Sequence, residues 1–432
     1  MPRSAPWARP GSPAKPPSPG APLDDWLRWQ EALHPQAIAL GLDRVRDVAG
    51  RLGLPAQGPR TITVAGTNGK GSTAALLSEI YLAAGHRVGT YTSPHLLRYN
   101  ERIAVNGEPA PDGVLTGAFG AVEKARAGIR LTYFEFGTLA ALWLFREAGV
   151  GVQVLEVGLG GRLDAVNLVD ADCAVVSSIG LDHVEYLGGD REAIGLEKAG
   201  ILRTGCPAIC SDPQAPRSIE RHARALGAPL WRIGREFHVQ RAADAWNWHG
   251  PDRHYKKLPP PALAGAIQYV NAAGALAVVT RLQDPLAVPE AAIRAGLARL
   301  HLPGRFERHG AVILDVAHNI EAARVLADNL RSIAPGGFRF VMGMLSDKPV
   351  EGFAEVLAPL AVKFYAAGLP PPRGIGAARL AERVRRSGVP TQDCGPVEQA
   401  YATARDEVRA GEMLVVCGSF LTVAAIARRF HG

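Results

Sequence analysis

Between residues 66 and 72 the chain reads Gly-Thr-Asn-Gly-Lys-Gly-Ser. Three glycines in seven residues, closed by a lysine and a hydroxyl side chain, make a turn suited to phosphate. Glycine lets successive backbone N–H groups converge on oxygen atoms, a helix starting at the turn adds its positive dipole end, and a lysine reaches the terminal phosphates of a nucleotide. Thr67, Asn68, Gly69 and Gly71 are the expected cradle and Lys70 the expected phosphate contact. Ser72, or Thr73 beside it, is placed to cap the helix or to approach a magnesium ion. With Ala65 in front, the spacing is a shortened form of the Walker A pattern, so ATP is the expected ligand.

A nucleotide-hydrolysing site also needs a metal ligand on a neighbouring strand. Glu156 ends the apolar run 152–157 and precedes Gly158-Leu159-Gly160-Gly161-Arg162, a position at the carboxyl edge of a parallel sheet. Asp182 and His183, after another apolar run, and Glu197-Lys198, in a helical stretch, are further candidates for the same edge. Judged by residue type alone, a histidine or lysine there is more often structural than catalytic.

The elements that must position these groups follow from periodicity. A strand at 61–66, the glycine turn, a helix through about Ala84 and a strand at 86–93 form a βαβ unit. Further buried strands are expected at 152–158 and 173–180. From 233 to 258 the sequence alternates and carries aromatics, as a small antiparallel sheet would. A break at 283–289 precedes a second α/β series with strands at 311–319, 338–345, 362–368 and 413–419. The fold class is α/β: a P-loop ATPase domain (23–297) with a helix-flanked parallel sheet and a small antiparallel sheet, then a Rossmann-like domain (298–432). Residues 1–22, dominated by Pro, Ser, Gly and Ala, are expected to be a disordered tail.

Composition narrows the function classes. The 432 residues, 47% hydrophobic, supply apolar material for two cores. No run approaches the roughly 18 apolar residues of a membrane span, and no secretory signal is evident, so a cytoplasmic protein with no membrane partner is expected. The five cysteines form no CxxC pair and are read as reduced. The net charge of +7 is spread along the chain, without the basic run and interleaved aromatics of a nucleic-acid binder.

Taken together, several long motifs identify a resemblance. The run 66–72, then Thr92-Ser93-Pro94-His95-Leu96 with Glu101-Arg102-Ile103, the segment 131–142 and the segment 155–167 follow one another. Further on come 178–188, 195–201, 302–307, Asp315-Val316-Ala317-His318-Asn319 and 417–424. In this order they closely resemble the folylpolyglutamate synthase and dihydrofolate synthase family, over everything beyond the Pro-rich tail. The resemblance implies magnesium ligands at Ser93, Glu156 and His183, and two magnesium ions with Lys198 carbamylated as a further ligand. A carbamate replaces a cation by an oxygen donor suited to a hard ion. It also implies that Asn271, Arg305, Asp315 and His318 reach the nucleotide. Pterin contacts fall on Leu40, Gly41 and Leu42, on Thr132, Tyr133 and Phe134, and on Leu163, Asp164 and Ala165, with Phe134 as a stacking surface and Asp164 as hydrogen-bond partner.

The implied activity is an ATP-dependent ligase, with Lys70, Lys198 and His183 in catalytic roles. It would act on dihydropteroate, folates and L-glutamate as a monomer. The TYFE segment and Asp164 favour a bifunctional enzyme that makes dihydrofolate and extends the glutamate tail; tail extension alone is the alternative. A peptidoglycan-type ligase would carry an extra domain before the glycine turn, where only some 65 residues stand. A regulatory P-loop ATPase would leave the pterin-matching segments unexplained.

Overall fold

Short runs of Val, Ile and Leu bounded by glycine and polar residues become the strands of two parallel sheets, each buried on both faces. The computed structural model of the chain describes residues 15–18, 20–36, 38–54, 58–331, 333 and 336–431. The first sheet holds β1 (Arg60–Ala65), β2 (Val88–Tyr91), β3 (Ile103–Val105), β4 (Glu108–Pro109), β5 (Val152–Glu156), β6 (Cys173–Val176), β7 (Ala208–Cys210) and β8 (Leu230–Arg232). Their spatial order is β4-β3-β2-β5-β1-β6-β7-β8. The six strands from β2 to β8 are parallel, and β3 and β4 add an antiparallel edge.

The expected βαβ unit is present with one difference: β5 lies between β1 and β2. The crossover through the helix Lys70–Ala83 therefore skips one position, and β5, arriving later in sequence, completes the pairing on both sides. Alternation along β5 sends Val152 and Val154 into one core and Leu155 into the other. The first core packs against the helices Lys70–Ala83, Ala266–Arg281 and Glu290–Arg299; the second holds Leu23–Glu31, Asp43–Arg51, Asp112–Arg126 and Tyr133–Glu147.

The aromatic stretch forms the three-stranded antiparallel sheet expected, with β9 (His238–Arg241), β10 (Trp246–His249) and β11 (His254–Leu258). Trp246 and Trp248 are fully buried, and the indole N–H of Trp248 donates to the carbonyl of Ala273 at 3.1 Å, seating this sheet on the helix Ala266–Arg281. The second large sheet comprises β12 (Glu307–His309), β13 (Val312–Leu314), β14 (Phe338–Met342), β15 (Ala361–Gly368), β16 (Thr391–Pro396) and β17 (Met413–Cys417), ordered β12-β13-β17-β14-β15-β16. Only β12 runs antiparallel to its neighbour.

The expected disordered tail, 1–22, falls for residues 1–14 outside the described residues. Residue 19 is outside them as well; near the end of this segment the backbone N–H of Ala21 donates to Ser18 at 3.0 Å, and Ala21 packs against the core beside the helix Leu23–Glu31. Among the described residues no helix is long and apolar enough to cross a membrane.

The helix that follows the glycine turn is clamped by a close helix contact. A Cβ at Gly296 would lie 2.6 Å from Cγ1 of Ile80 and 2.9 Å from its backbone nitrogen. Gly296→Ala must push the two helices apart, and overpacking of this kind costs about 1–3 kcal/mol. A lowered denaturation midpoint in a thermal or urea melt is the expected outcome; an unchanged midpoint would show that the packing yields without cost.

Candidate active site

The glycine turn leaves β1 at Gly66 with φ at 153°, and a Cβ there would lie 1.8 Å from the hydroxyl oxygen of Ser177. Only glycine fits against that side chain. In return the end of β6 fastens the turn. The Ser177 hydroxyl donates to the carbonyls of Ala65 (3.1 Å) and Asn68 (2.7 Å), and the N–H of Thr67 donates to the carbonyl of Ser178 at 2.6 Å. The Thr67 hydroxyl donates to the Gly180 carbonyl and accepts the Gly180 N–H, at 3.1 and 3.0 Å. The cradle is thus held by backbone and hydroxyl groups that no phosphate needs to supply.

Gly69 caps the helix Lys70–Ala83 with φ at 84°, and a Cβ there would come within 2.6 Å of the side-chain oxygen of Asn271. The capping role considered for Ser72 or Thr73 is corrected: both lie inside the first turn, and no side chain caps this helix. Its first N–H groups remain available to an anion.

Two lysines meet over the turn. The Lys70 ammonium donates to the carbonyls of Gly66 (3.1 Å) and Thr67 (3.3 Å), and that of Lys198 donates to the same Gly66 carbonyl at 2.9 Å. Burial lowers the pKa of Lys70, against the opposing pull of the Glu156 carboxylate. Lys198, only 4% exposed, is brought down to about 7, first by burial and then by repulsion from Lys70.

Glu156 stands at the end of β5, where its carboxylate accepts the backbone N–H of Ser93 at 3.0 Å. Burial raises its pKa, against the stabilising charge of Lys70. His183 has a left-handed backbone, φ 51°, and burial lowers its imidazole to about 4, which leaves it neutral at physiological pH. For its neighbour Asp182, burial opposes ionisation, but His318 and the Lys348 ammonium outweigh it and hold the carboxyl below its ordinary range.

The second sheet supplies the facing wall. Asp315 follows β13 and accepts the N–H groups of Phe306 (2.9 Å) and Ala317 (2.8 Å); burial raises its pKa. Arg305, half-buried, lies over the ring of Phe420 (5.2 Å), and one guanidinium nitrogen lies 3.8 Å from where a Cβ on Gly71 would stand. His318 donates through Nδ1 to the Val316 carbonyl at 2.9 Å, which turns Nε2 toward Asp182, 3.8 Å away.

Direct bonds join the two walls. The side-chain amides of Asn68 and Asn319 exchange two hydrogen bonds of 3.1 Å, and Lys348, 6% exposed, pairs with Asp182 at 2.6 Å. Asn319 also caps the helix Ile320–Leu330. Ser177, Ser178, Asn319 and Lys348 were not singled out from sequence. The Ser-Ser pair ending a buried strand was the available signal for the first two; Lys348, alone in a loop, offered none.

The residues matched to pterin contacts gather beside this site. A Cβ at Gly158 would lie 2.7 Å from Cζ of Phe134, so the glycine lets the ring settle on the loop. Thr132 caps the helix Tyr133–Glu147 in a reciprocal box with Glu135, whose carboxylate pairs with Arg44 at 2.7 Å. Tyr133 packs edge-on to Tyr99. The carboxylate of Asp164 accepts the N–H groups of Leu159 (2.9 Å) and Val166 (3.0 Å), and burial raises its pKa to about 6. The N–H of Gly41 donates to Leu163 at 3.3 Å; Leu40 is exposed, while Leu42 and Ala165 are buried. Gly41, Leu42, Leu163, Asn167, Arg162 and Arg203 line part of an open recess of about 450 Å³.

Known proteins share this arrangement. Residues 64–245 match the Mur ligase middle domain, and residues 304–420 match the Mur ligase glutamate ligase domain. The dihydrofolate synthase/folylpolyglutamate synthase of Escherichia coli is 44% identical over 425 residues, covering 96% of this chain and 98% of that protein. The structure of Escherichia coli FolC in complex with DHPP and ADP superposes with a TM-score of 0.90 at 44% identity, covering 96% of this chain and 99% of that one. A bifunctional folylpolyglutamate synthase/dihydrofolate synthase with Mn, AMPPNP and L-glutamate bound superposes with a TM-score of 0.89 at 43% identity, covering 97% of this chain and all of that one. Two Mur-type domains, near-complete coverage and 44% identity to a member place this chain in the dihydrofolate synthase/folylpolyglutamate synthase family.

Proposed function

We propose that this protein is a bifunctional ligase that uses ATP to join L-glutamate to dihydropteroate and to the glutamate tail of reduced folates. The observation that carries the reading is the meeting of the glycine turn, Lys70 and Glu156 on one sheet with Arg305 on the other, in a chain that aligns almost end to end with bifunctional relatives. The same proposal takes 23–297 as the ATP-binding domain and 298–432 as the glutamate ligase domain of a cytoplasmic monomer.

Amide formation from a carboxylate and an amine is uphill in water, so the carboxylate must first gain a leaving group. Its oxygen attacks the terminal phosphorus of ATP, a P–O bond forms, and ADP departs. The nitrogen of glutamate then attacks the acyl carbon, phosphate leaves with the C–O electrons, and the nitrogen loses a proton. Lys70, the turn N–H groups and Arg305 neutralise charge on the moving phosphoryl group. The fit of the second sheet over the turn excludes water from the acyl phosphate.

The residues present suit a divalent ion. Glu156 is a buried carboxylate beside Ser93, His183 is neutral, and Lys198 can take up carbon dioxide. We assign Ser93, Glu156, His183 and carbamylated Lys198 as the holders of two magnesium ions. The ions would supply Lewis-acid neutralisation of the phosphates. Carbamate formation requires the neutral amine. With a pKa of about 7 roughly half of Lys198 is neutral at pH 7, against about three in ten thousand for an unperturbed lysine.

Three experiments bear on these assignments. Phosphate release with magnesium, glutamate and bicarbonate is expected with dihydropteroate and with tetrahydrofolate, each giving a product one glutamate heavier by mass. Release with one alone restricts the enzyme to that reaction, and release with neither refutes the ligase. Lys198→Ala is expected to lower kcat by at least about 100-fold, and a carbamate resonance should appear in wild type under ¹³C-labelled bicarbonate and vanish in the variant. Asp164 accepts pterin N–H groups more strongly when ionised, its main form above about 6. The KM for dihydropteroate should therefore rise as pH falls from 7 to 5. In Asp164→Asn it should be higher by roughly 10- to 100-fold, the worth of a hydrogen bond to a charged group, and flat with pH; a flat profile in wild type would remove Asp164 from pterin binding.

A further inference from the structure

Away from the site described above, two imidazoles converge on one carboxylate. Glu307 and His309 are two residues apart on β12 and so project on the same side of the strand. Oε1 of Glu307 lies 2.8 Å from Nε2 of His309 and 2.6 Å from Nε2 of His431, in the segment after the last helix, Phe420–Ala427. Among the described residues this is the one group of three His, Cys, Asp or Glu ligand atoms gathered within 4.8 Å of one another.

The surroundings orient these atoms. The ring of His309 lies flat on Phe430, with centroids 4.2 Å apart and planes 11° from parallel, which fixes its Nε2 toward the carboxylate. The other carboxylate oxygen accepts the N–H of Gly304 at 2.7 Å, so Glu307 is held from behind while Oε1 remains the shared partner. Such outer contacts fix the ligands of built metal sites. The carboxylate is 10% exposed and the imidazoles 26% and 22%, leaving a path from solvent.

We propose that Glu307, His309 and His431 form a binding site for a divalent transition metal of the zinc class, distinct from the magnesium-type site at the glycine turn. Two imidazole nitrogens and one carboxylate oxygen match the ligand type of three-residue zinc sites with an open fourth position. Magnesium, which takes near-octahedral oxygen ligands, is poorly served by this set. Tetrahedral ligands about 2.1 Å from zinc stand about 3.4 Å apart. Binding therefore widens the two N–O separations by somewhat more than half an ångström as the ion replaces the two bridging protons. His431, near the chain end, can supply that movement. The bound ion would tie the C-terminal segment to β12, which starts two residues beyond Arg305 of the turn facing the nucleotide loop.

The test uses full-length protein freed of metal by chelation and titrated with Co²⁺ in excess Mg²⁺. One equivalent of Co²⁺ should bind with the visible ligand-field bands of a tetrahedral site, and Zn²⁺ should bleach them. His309→Ala and His431→Ala should each weaken binding at least about tenfold, and His301→Ala, at an exposed position outside the cluster, should leave it unchanged. Zn²⁺ should also raise the Tm of wild type but not of His431→Ala, which removes only the ligand that follows the last helix. Absence of the bands in wild type, or bands that survive both histidine substitutions, overturns the proposal.

Discussion

Two ammonium groups, one on buried Lys198 and one on half-buried Lys70, share one carbonyl oxygen, that of Gly66, and the rest of the site is arranged around that crowding. Lys70 and Lys198 repel each other and lack water, so each is more acidic than an ordinary lysine. Glu156 opposes the charge from the neighbouring strand, and the Gly66 backbone can present its oxygen only because the position beside Ser177 has no room for a side chain.

The second sheet is attached both by apolar contact, with Leu96 built into its core, and by polar groups beside the glycine turn. The polar part is made by the paired amides of Asn68 and Asn319 and the ion pair between Lys348 and Asp182. A charge pair with one member almost fully buried is costly to break without replacement, yet it can exchange partners with a charged ligand. Asp182 adjoins His183 and faces His318, so a change in charge at the nucleotide turn is felt at the joint between the sheets.

Much of this was legible in the residues. Glycine at 66 and 69 answers steric demands that only glycine meets, and an apolar run ending in Glu156 suits the carboxyl edge of a sheet. The long strands β1, β5, β14 and β17 announced themselves by β-branched and apolar runs. The short strands β7 and β8, three residues each, did not, and neither did β16, whose Thr-Gln-Asp-Cys-Gly-Pro is polar because it closes an edge. The insertion of β5 between β1 and β2 depends on pairing across distant segments and leaves no local trace. His183 and Lys198 were likewise indistinguishable from structural residues by type; their weight came from the company of long motifs and from burial that sequence does not display.

The position of β5 carries a further consequence. Because it fills the gap between β1 and β2, the three strands whose ends carry Glu156, the glycine turn and the two serines are the interior strands β5, β1 and β6. The outermost strands, β4 and β8, carry none of these groups. Changes confined to those margins alter none of these groups directly and reach the middle of the sheet only through intervening strands. The margins are accordingly the places to graft new segments in an engineered ligase of this kind.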